Sequence, residues 1–241
     1  MKFALALVGS ALVGLAAAKP EEDRVLYLPE MGNFDKFAAF SGYVDISKGK
    51  KIHYMFVESQ TSPTTQPVVI WFNGGPGCSS MLGFTQEHGP FVINDGTSKF
   101  VENEWTWNME ANMLYIEQPA GVGYSYCDGV ENCTFDDDVS GKDNLNAVLA
   151  WFQKFPEFQT NELYISGESY AGIYVPYLAH YIDQHNTQYA ADDTVFKPNL
   201  KGFMVGNGVT NWEYDTTNAY VDMAFWHSLY EIELYNQFKS L

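Results

Sequence analysis

The chain has 241 residues, with 30 acidic against 13 basic side chains and a net charge of −17, which excludes a nucleic-acid partner because a polyanion would be repelled. Hydrophobic residues at 46% and aromatic residues at 16% exclude a disordered acidic tail. The length predicts one large domain able to build its own core, rather than a small disulfide-stapled knot.

Residues 1–18 carry Lys2, an apolar run from Phe3 to Leu15 and the small residues Ala16, Ala17 and Ala18, which is the layout of a secretory signal peptide cut near Ala18. The apolar run is shorter than the roughly 20 residues that a bilayer core needs. No later segment is apolar enough to span, so the predicted mature domain, residues 19–241, has no membrane partner. A secretory route makes the 3 cysteines readable. Cys127 and Cys133 are spaced to close a small local loop, leaving Cys78 over. Asn132-Cys133-Thr134 fits the N-glycosylation sequon, with Asn132 as the acceptor.

Tyr43 to Ser47 and Ile52 to Glu58 read as a hairpin around Lys48-Gly49-Lys50. Pro67 to Phe72, Met113 to Glu117, Glu162 to Ser166 and Gly202 to Val205 read as strands buried on both faces. Leu145, Val148, Leu149 and Phe152 follow the spacing of one helix face, and Val175, Leu178, Ala179 and Ile182 repeat it. This alternation predicts an α/β fold, a mixed but mostly parallel sheet flanked by helices and entered through an antiparallel hairpin. The clusters Asp136-Asp137-Asp138 and Asp192-Asp193 lack nearby histidines and suit solvated loops or a helix N-terminus better than a metal.

The strand Leu163 to Ser166 runs through Gly167-Glu168-Ser169-Tyr170-Ala171-Gly172 straight into an apolar-periodic helix. That is the context of a nucleophile elbow, with Ser169 as the candidate nucleophile. A second strand ends in Asn73-Gly74-Gly75-Pro76-Gly77-Cys78-Ser79-Ser80, a loop able to present bare backbone N–H groups. It lacks the pattern of a phosphate loop, and beside an elbow it reads as an oxyanion hole.

Trp71 to Ser80, Glu117-Gln118-Pro119-Ala120-Gly121-Val122-Gly123-Tyr124-Ser125 and Gly167 to Gly172 together resemble the serine carboxypeptidase family. The likeness runs from about Tyr43 to Leu241. It implies the α/β-hydrolase fold, removal of C-terminal residues from peptides through an acyl-enzyme on Ser169, and neither cofactor nor metal. It further implies an oxyanion hole from the N–H groups of Gly75 and Tyr170. Recognition of the substrate carboxylate falls to Asn73, the N–H of Gly74, and Glu168 hydrogen-bonded to Glu87. Two adjacent carboxyl groups cannot both ionise cheaply, so one keeps its proton and can donate to a carboxylate.

The chain order of α/β-hydrolases places Asp and His after the serine on later strands, and no position here matches them. His53 and His88 precede the elbow, His180 and His185 lie on its helix pointing away, and His227 resembles a structural block of the family. The family counterpart of Cys78 bonds a cysteine in a later region. The expectation is a partial carboxypeptidase: a fragment, a truncated product or a processed N-terminal part, secreted or sent to a lysosome or vacuole. Its rivals are an esterase or acyltransferase on the same fold and a catalytically inactive peptide-binding half. A separate alternative is a half that associates with a partner chain supplying Asp and His.

Overall fold

The computed structural model describes residues 19–29, 31–47, 49–93, 99–129 and 133–240. The signal-peptide expectation for residues 1–18 and the glycosylation expectation at Asn132 lie outside the described residues. In chain order the strands are β1 (Arg24–Val25), β2 (Tyr27–Leu28), β3 (Gly32–Asn33), β4 (Ala39–Ser47), β5 (Lys50–Val57), β6 (Val68–Phe72), β7 (Phe91–Ile93), β8 (Phe100–Glu102), β9 (Asn112–Ile116), β10 (Tyr126–Cys127), β11 (Leu163–Glu168) and β12 (Leu200–Gly206). The α-helices are α1 (Asp137–Lys154), α2 (Ala171–Gln188), α3 (Trp212–Asp215), α4 (Thr217–Trp226) and α5 (Ile232–Lys239).

The main sheet has the order β1-β4-β5-β9-β6-β11-β12, with β10 added beside β5; β2–β3 and β7–β8 form separate ribbons. β4 and β5 make the expected antiparallel hairpin, with Val44 opposite Ile52. β5 meets β9 antiparallel, and from β9 through β6 and β11 to β12 every pairing is parallel. β6 and β9 are buried at all their positions, because their near-continuous apolar runs face helices on one side and packed loops on the other. This is the α/β-hydrolase layout, and it sets the carboxyl ends of β6 and β11 side by side.

One face of the sheet packs on α1 and α2, where Trp151, Phe152, Phe155 and Phe158 meet Phe40 and Phe56. Trp151 stacks on Phe155 at 4.7 Å and meets Phe56 edge-on at 4.8 Å. The other face packs Met55, Trp71, Met113 and Tyr115 against Phe34, Phe84 and Phe91. The four α2 positions expected in the core, Val175 to Ile182, are all buried. On α1 the buried stripe runs through Asn144, Ala147, Val148, Trp151 and Phe152, rotated from the Leu145 and Leu149 face, because the indole of Trp151 claims the centre of the contact. Asp136 caps α1, its carboxylate accepting from Val139 N–H at 2.8 Å, with Asp137 and Asp138 in the first turn where the helix dipole favours negative charge.

One further expectation is corrected. The strand expected at Gly202 to Val205 is not buried on both faces: β12 is the sheet edge, and Phe203 and Met204 remain 53% and 48% exposed. At the C-terminal end, Ser228 adopts φ +59° and separates α4 from α5. Cys127 and Cys133 form a disulfide with Cα atoms 5.7 Å apart, and Cys78 is free and exposed. No helix among the described residues is long and apolar enough to cross a membrane.

Candidate active site

β11 ends at Glu168, and Ser169 turns the chain into α2 with φ +58°, a left-handed conformation that a non-glycine residue adopts only when its surroundings enforce it. The enforcement is visible. Ser169 N–H donates to Gly206 O at 3.0 Å, and Ser169 O accepts from Gly172 N–H at 3.0 Å and Val209 N–H at 2.9 Å. The two flanking glycines let the turn close. A Cβ on Gly167 would stand 2.5 Å from both Phe72 O and Ala171 Cβ, and one on Gly172 would stand 2.4 Å from Val209 O. Ser169 itself is exposed at the carboxyl edge of the sheet.

The neighbouring strand β6 delivers the glycine loop to the same edge. Gly74 lies so close to the elbow that a Cβ there would be 2.4 Å from Tyr170 N, 2.7 Å from Glu168 O and 2.8 Å from Ser169 Cβ. Gly75 and Gly77 take φ +111° and +86°, open to glycine and strained for other residues. Cys78 N–H closes the turn onto Gly74 O at 3.1 Å, and Gly77 N–H donates to the Tyr174 hydroxyl at 3.2 Å. Among the described residues, the N–H groups of Gly75 and Tyr170 have no intramolecular acceptor.

Asn73 joins the two expected carboxyl residues. Its Nδ2 donates to Glu87 at 2.8 Å and to Glu168 at 3.0 Å, while its Oδ1 accepts from Trp71 Nε1 and Gly83 N–H, both at 2.9 Å. Anchoring the oxygen twice fixes which end of the amide faces the carboxyls. Burial raises the Glu87 pKa above its ordinary 4.5, the nearby Glu168 charge adds to the rise, and the Asn73 bond offsets part of it. Behind the cluster, His88 stacks on Trp107 at 4.2 Å and lies edge-on to Trp71 at 4.3 Å. Burial pushes its pKa down to about 4, so it is a neutral packing group.

The histidines do not gather at Ser169. His53 bonds Ser41 and Glu117, His88 bonds Tyr115, His185 bonds Phe196 O and His227 bonds Met223 O. Among the described residues, none is hydrogen-bonded to Ser169. Asp215 caps its own turn through Thr210 and Asn211, and Asp222 bonds Tyr235 and Lys239. One functional candidate went unseen in the sequence. Glu117 reads there as the last residue of a strand, yet it leaves β9 as a fully buried carboxylate between the glycine loop and the 119–125 turn. A charged residue ending an apolar run just before Gln118-Pro119 was the available signal.

Residues 29–241 match the family model of the serine carboxypeptidases. The chain is 43% identical over 212 residues to the lysosomal protective protein of Mus musculus, an alignment covering 88% of this chain and 42% of that protein. It is 42% identical over 225 residues to serine carboxypeptidase-like 35 of Arabidopsis thaliana, covering 91% of this chain and 46% of that one. Among solved structures, Kex1(delta)p, a prohormone-processing carboxypeptidase of Saccharomyces cerevisiae, superposes with a TM-score of 0.75 at 25% identity, over 93% of this chain and 52% of that one. The chain thus spans under half the length of these two curated relatives. With the elbow, the glycine loop and the carboxyl cluster at one sheet edge, and the family match running over nearly all of its length, the chain belongs to the serine carboxypeptidase family.

Proposed function

We propose that this polypeptide carries the nucleophile and the carboxylate-recognition half of a serine-type carboxypeptidase. The observation that supports it most is the exposed Ser169 at φ +58° with the Gly74 backbone lying against it. In this reading Ser169 Oγ attacks the last peptide carbonyl. The developing oxyanion is held by the N–H groups of Gly75 and Tyr170, donors that have no intramolecular acceptor among the described residues and are in place before the charge appears. The C–N bond then breaks, the departing amino acid takes a proton, and water releases the acyl group from Ser169. The base and its orienting carboxylate are supplied by polypeptide other than residues 19–240, in a longer form of the chain or a partner.

Both Asn73 Nδ2 hydrogens are spent on Glu87 and Glu168. A substrate carboxylate is therefore met by Gly74 N–H and by a carboxyl that has kept its proton. The sign with pH follows from the raised Glu87 pKa: above pH 4.5 a free glutamate loses its proton while the cluster keeps one, and at higher pH the cluster loses it and repels the peptide. KM for a free-acid peptide should rise with pH through the window that opens above 4.5, and KM for the matching ester without a carboxylate should stay flat. A flat KM for both would remove the shared-proton account.

The nucleophile assignment is tested with a fluorophosphonate probe. Stoichiometric labelling of the chain once the polypeptide carrying the base is supplied, abolished in Ser169→Ala, supports it; labelling that survives that substitution overturns it. The alternative reading, an inactive peptide-binding half, draws on the lack of any histidine hydrogen-bonded to Ser169 among the described residues and predicts labelling no faster than that of free serine. Delivery into the secretory pathway, to the outside or to a lysosome or vacuole, belongs to the same proposal. It is supported by the Cys127–Cys133 disulfide, which oxidising compartments maintain, by the layout of residues 1–18 and by the lysosomal name of the mouse relative. Asn132 is the proposed glycan acceptor there.

A further inference from the structure

Glu117 follows β9 directly, and although its side chain is fully buried, both of its oxygens are engaged. Oε2 accepts from Tyr124 N–H at 2.8 Å and lies 2.9 Å from His53 Nδ1, while Oε1 accepts from the Ser79 hydroxyl. The backbone is pinned as well: Glu117 O accepts from Ser125 Oγ at 2.6 Å, and Glu117 N–H donates to His53 O at 3.1 Å. Gly123 has to be a glycine beside it, since a Cβ there would stand 1.9 Å from Glu117 Oε1. Burial by itself would raise the Glu117 pKa, but the bonds from His53, Ser79 and Tyr124 outweigh it and leave the carboxylate below its ordinary range.

The far nitrogen of His53 lies 2.8 Å from Ser41 Oγ. Ser41, His53 and Glu117 thus repeat the hydrogen-bond order of a catalytic triad. Ser41, however, sits in the middle of β4 opposite Met55, inside a regular ladder that offers no converging N–H groups for an oxyanion. What the relay does reach is the glycine loop. Ser79 follows Cys78, whose N–H closes the turn on Gly74 O at 3.1 Å, and Ser80 Oγ accepts from Asn73 N–H at 3.3 Å.

We propose that Glu117 is a positioning residue for the oxyanion hole. Through Ser79 it holds the Gly74–Ser80 turn against the elbow, and through Tyr124 it ties that turn to the one spanning Gly121 to Ser125. The effect on rate rests on the hydrolase reading above; the effect on loop geometry does not. Loss of a hydrogen-bonded carboxylate of purely structural role would weaken the fold as a whole. A positioning role loosens one loop and lowers turnover while leaving substrate affinity alone.

Ser79→Ala and Glu117→Gln, made in the full chain, separate the two. Amide hydrogen exchange is followed across residues 73–80 and 119–125, with peptide hydrolysis measured in parallel. Ser79→Ala should raise exchange in 73–80 by about tenfold or more, leave α2 protected, and lower kcat by about 10- to 100-fold with KM unchanged within about twofold. Glu117→Gln should loosen both segments. Unaltered exchange at 73–80 in Ser79→Ala, or exchange rising equally throughout the fold, overturns the proposal. Should the unsubstituted protein fail to hydrolyse peptides even with the base and its carboxylate supplied, exchange alone decides the role of Glu117, and the hydrolase reading falls separately.

Discussion

Gly74→Ala should slow fluorophosphonate labelling of Ser169 by at least about a hundredfold, the scale expected when an oxyanion donor is withdrawn. The added methyl would stand 2.4 Å from Tyr170 N and 2.7 Å from Glu168 O, both backbone atoms held by the sheet and the start of α2. Neither can swing aside as a side-chain tip would, so the loop and the elbow must part by roughly an ångström, and misplacement on that scale costs about 100-fold. Gly75 and Tyr170 are then drawn apart together. A labelling rate near that of the unsubstituted chain would show that their amides do not act as a pair.

Trp151→Ala should lower the unfolding free energy by about 3–5 kcal/mol, the range for emptying a large aromatic site in a core. Trp151 is 1% exposed and touches the rings of Phe56, Phe152, Phe155 and Phe158, which join α1 to the hairpin strand β5. Set against the 5–15 kcal/mol that stabilises an ordinary domain, the loss is a large fraction of the whole. A urea midpoint that falls with an unchanged slope would bear this out, and a shift worth less than about 1 kcal/mol would contradict it.

The parts legible in the sequence are those written in local backbone geometry. Gly167, Gly172 and the run from Gly74 to Gly77 are read directly because small residues at fixed offsets mark where chain approaches chain, and the structure shows what a Cβ would strike at each close approach. Buried strands β6 and β9 were legible for a similar reason, since continuous apolar runs have few other uses. The phase of α1 was not, because apolar spacing counts leucines and an indole alike, whereas packing gives the centre to the larger group. β12 looks apolar in sequence whether or not a neighbour covers it, so its exposure had to be seen. Glu117 was illegible because two of its partners lie 38 and 64 positions away, at Ser79 and His53. Asn73 meets Glu168 across 95 positions, and only the family resemblance drew those two together.

Trp71 donates its indole N–H to the same Asn73 oxygen that sets the amide facing Glu87 and Glu168, and it lies edge-on to His88 and Trp107. The carboxyl cluster therefore has an intrinsic fluorophore wired to it by one hydrogen bond. Any molecule that tilts Asn73 alters the polarity felt by that indole, so occupancy of the cluster is readable as a change in tryptophan emission, without a label and without turnover.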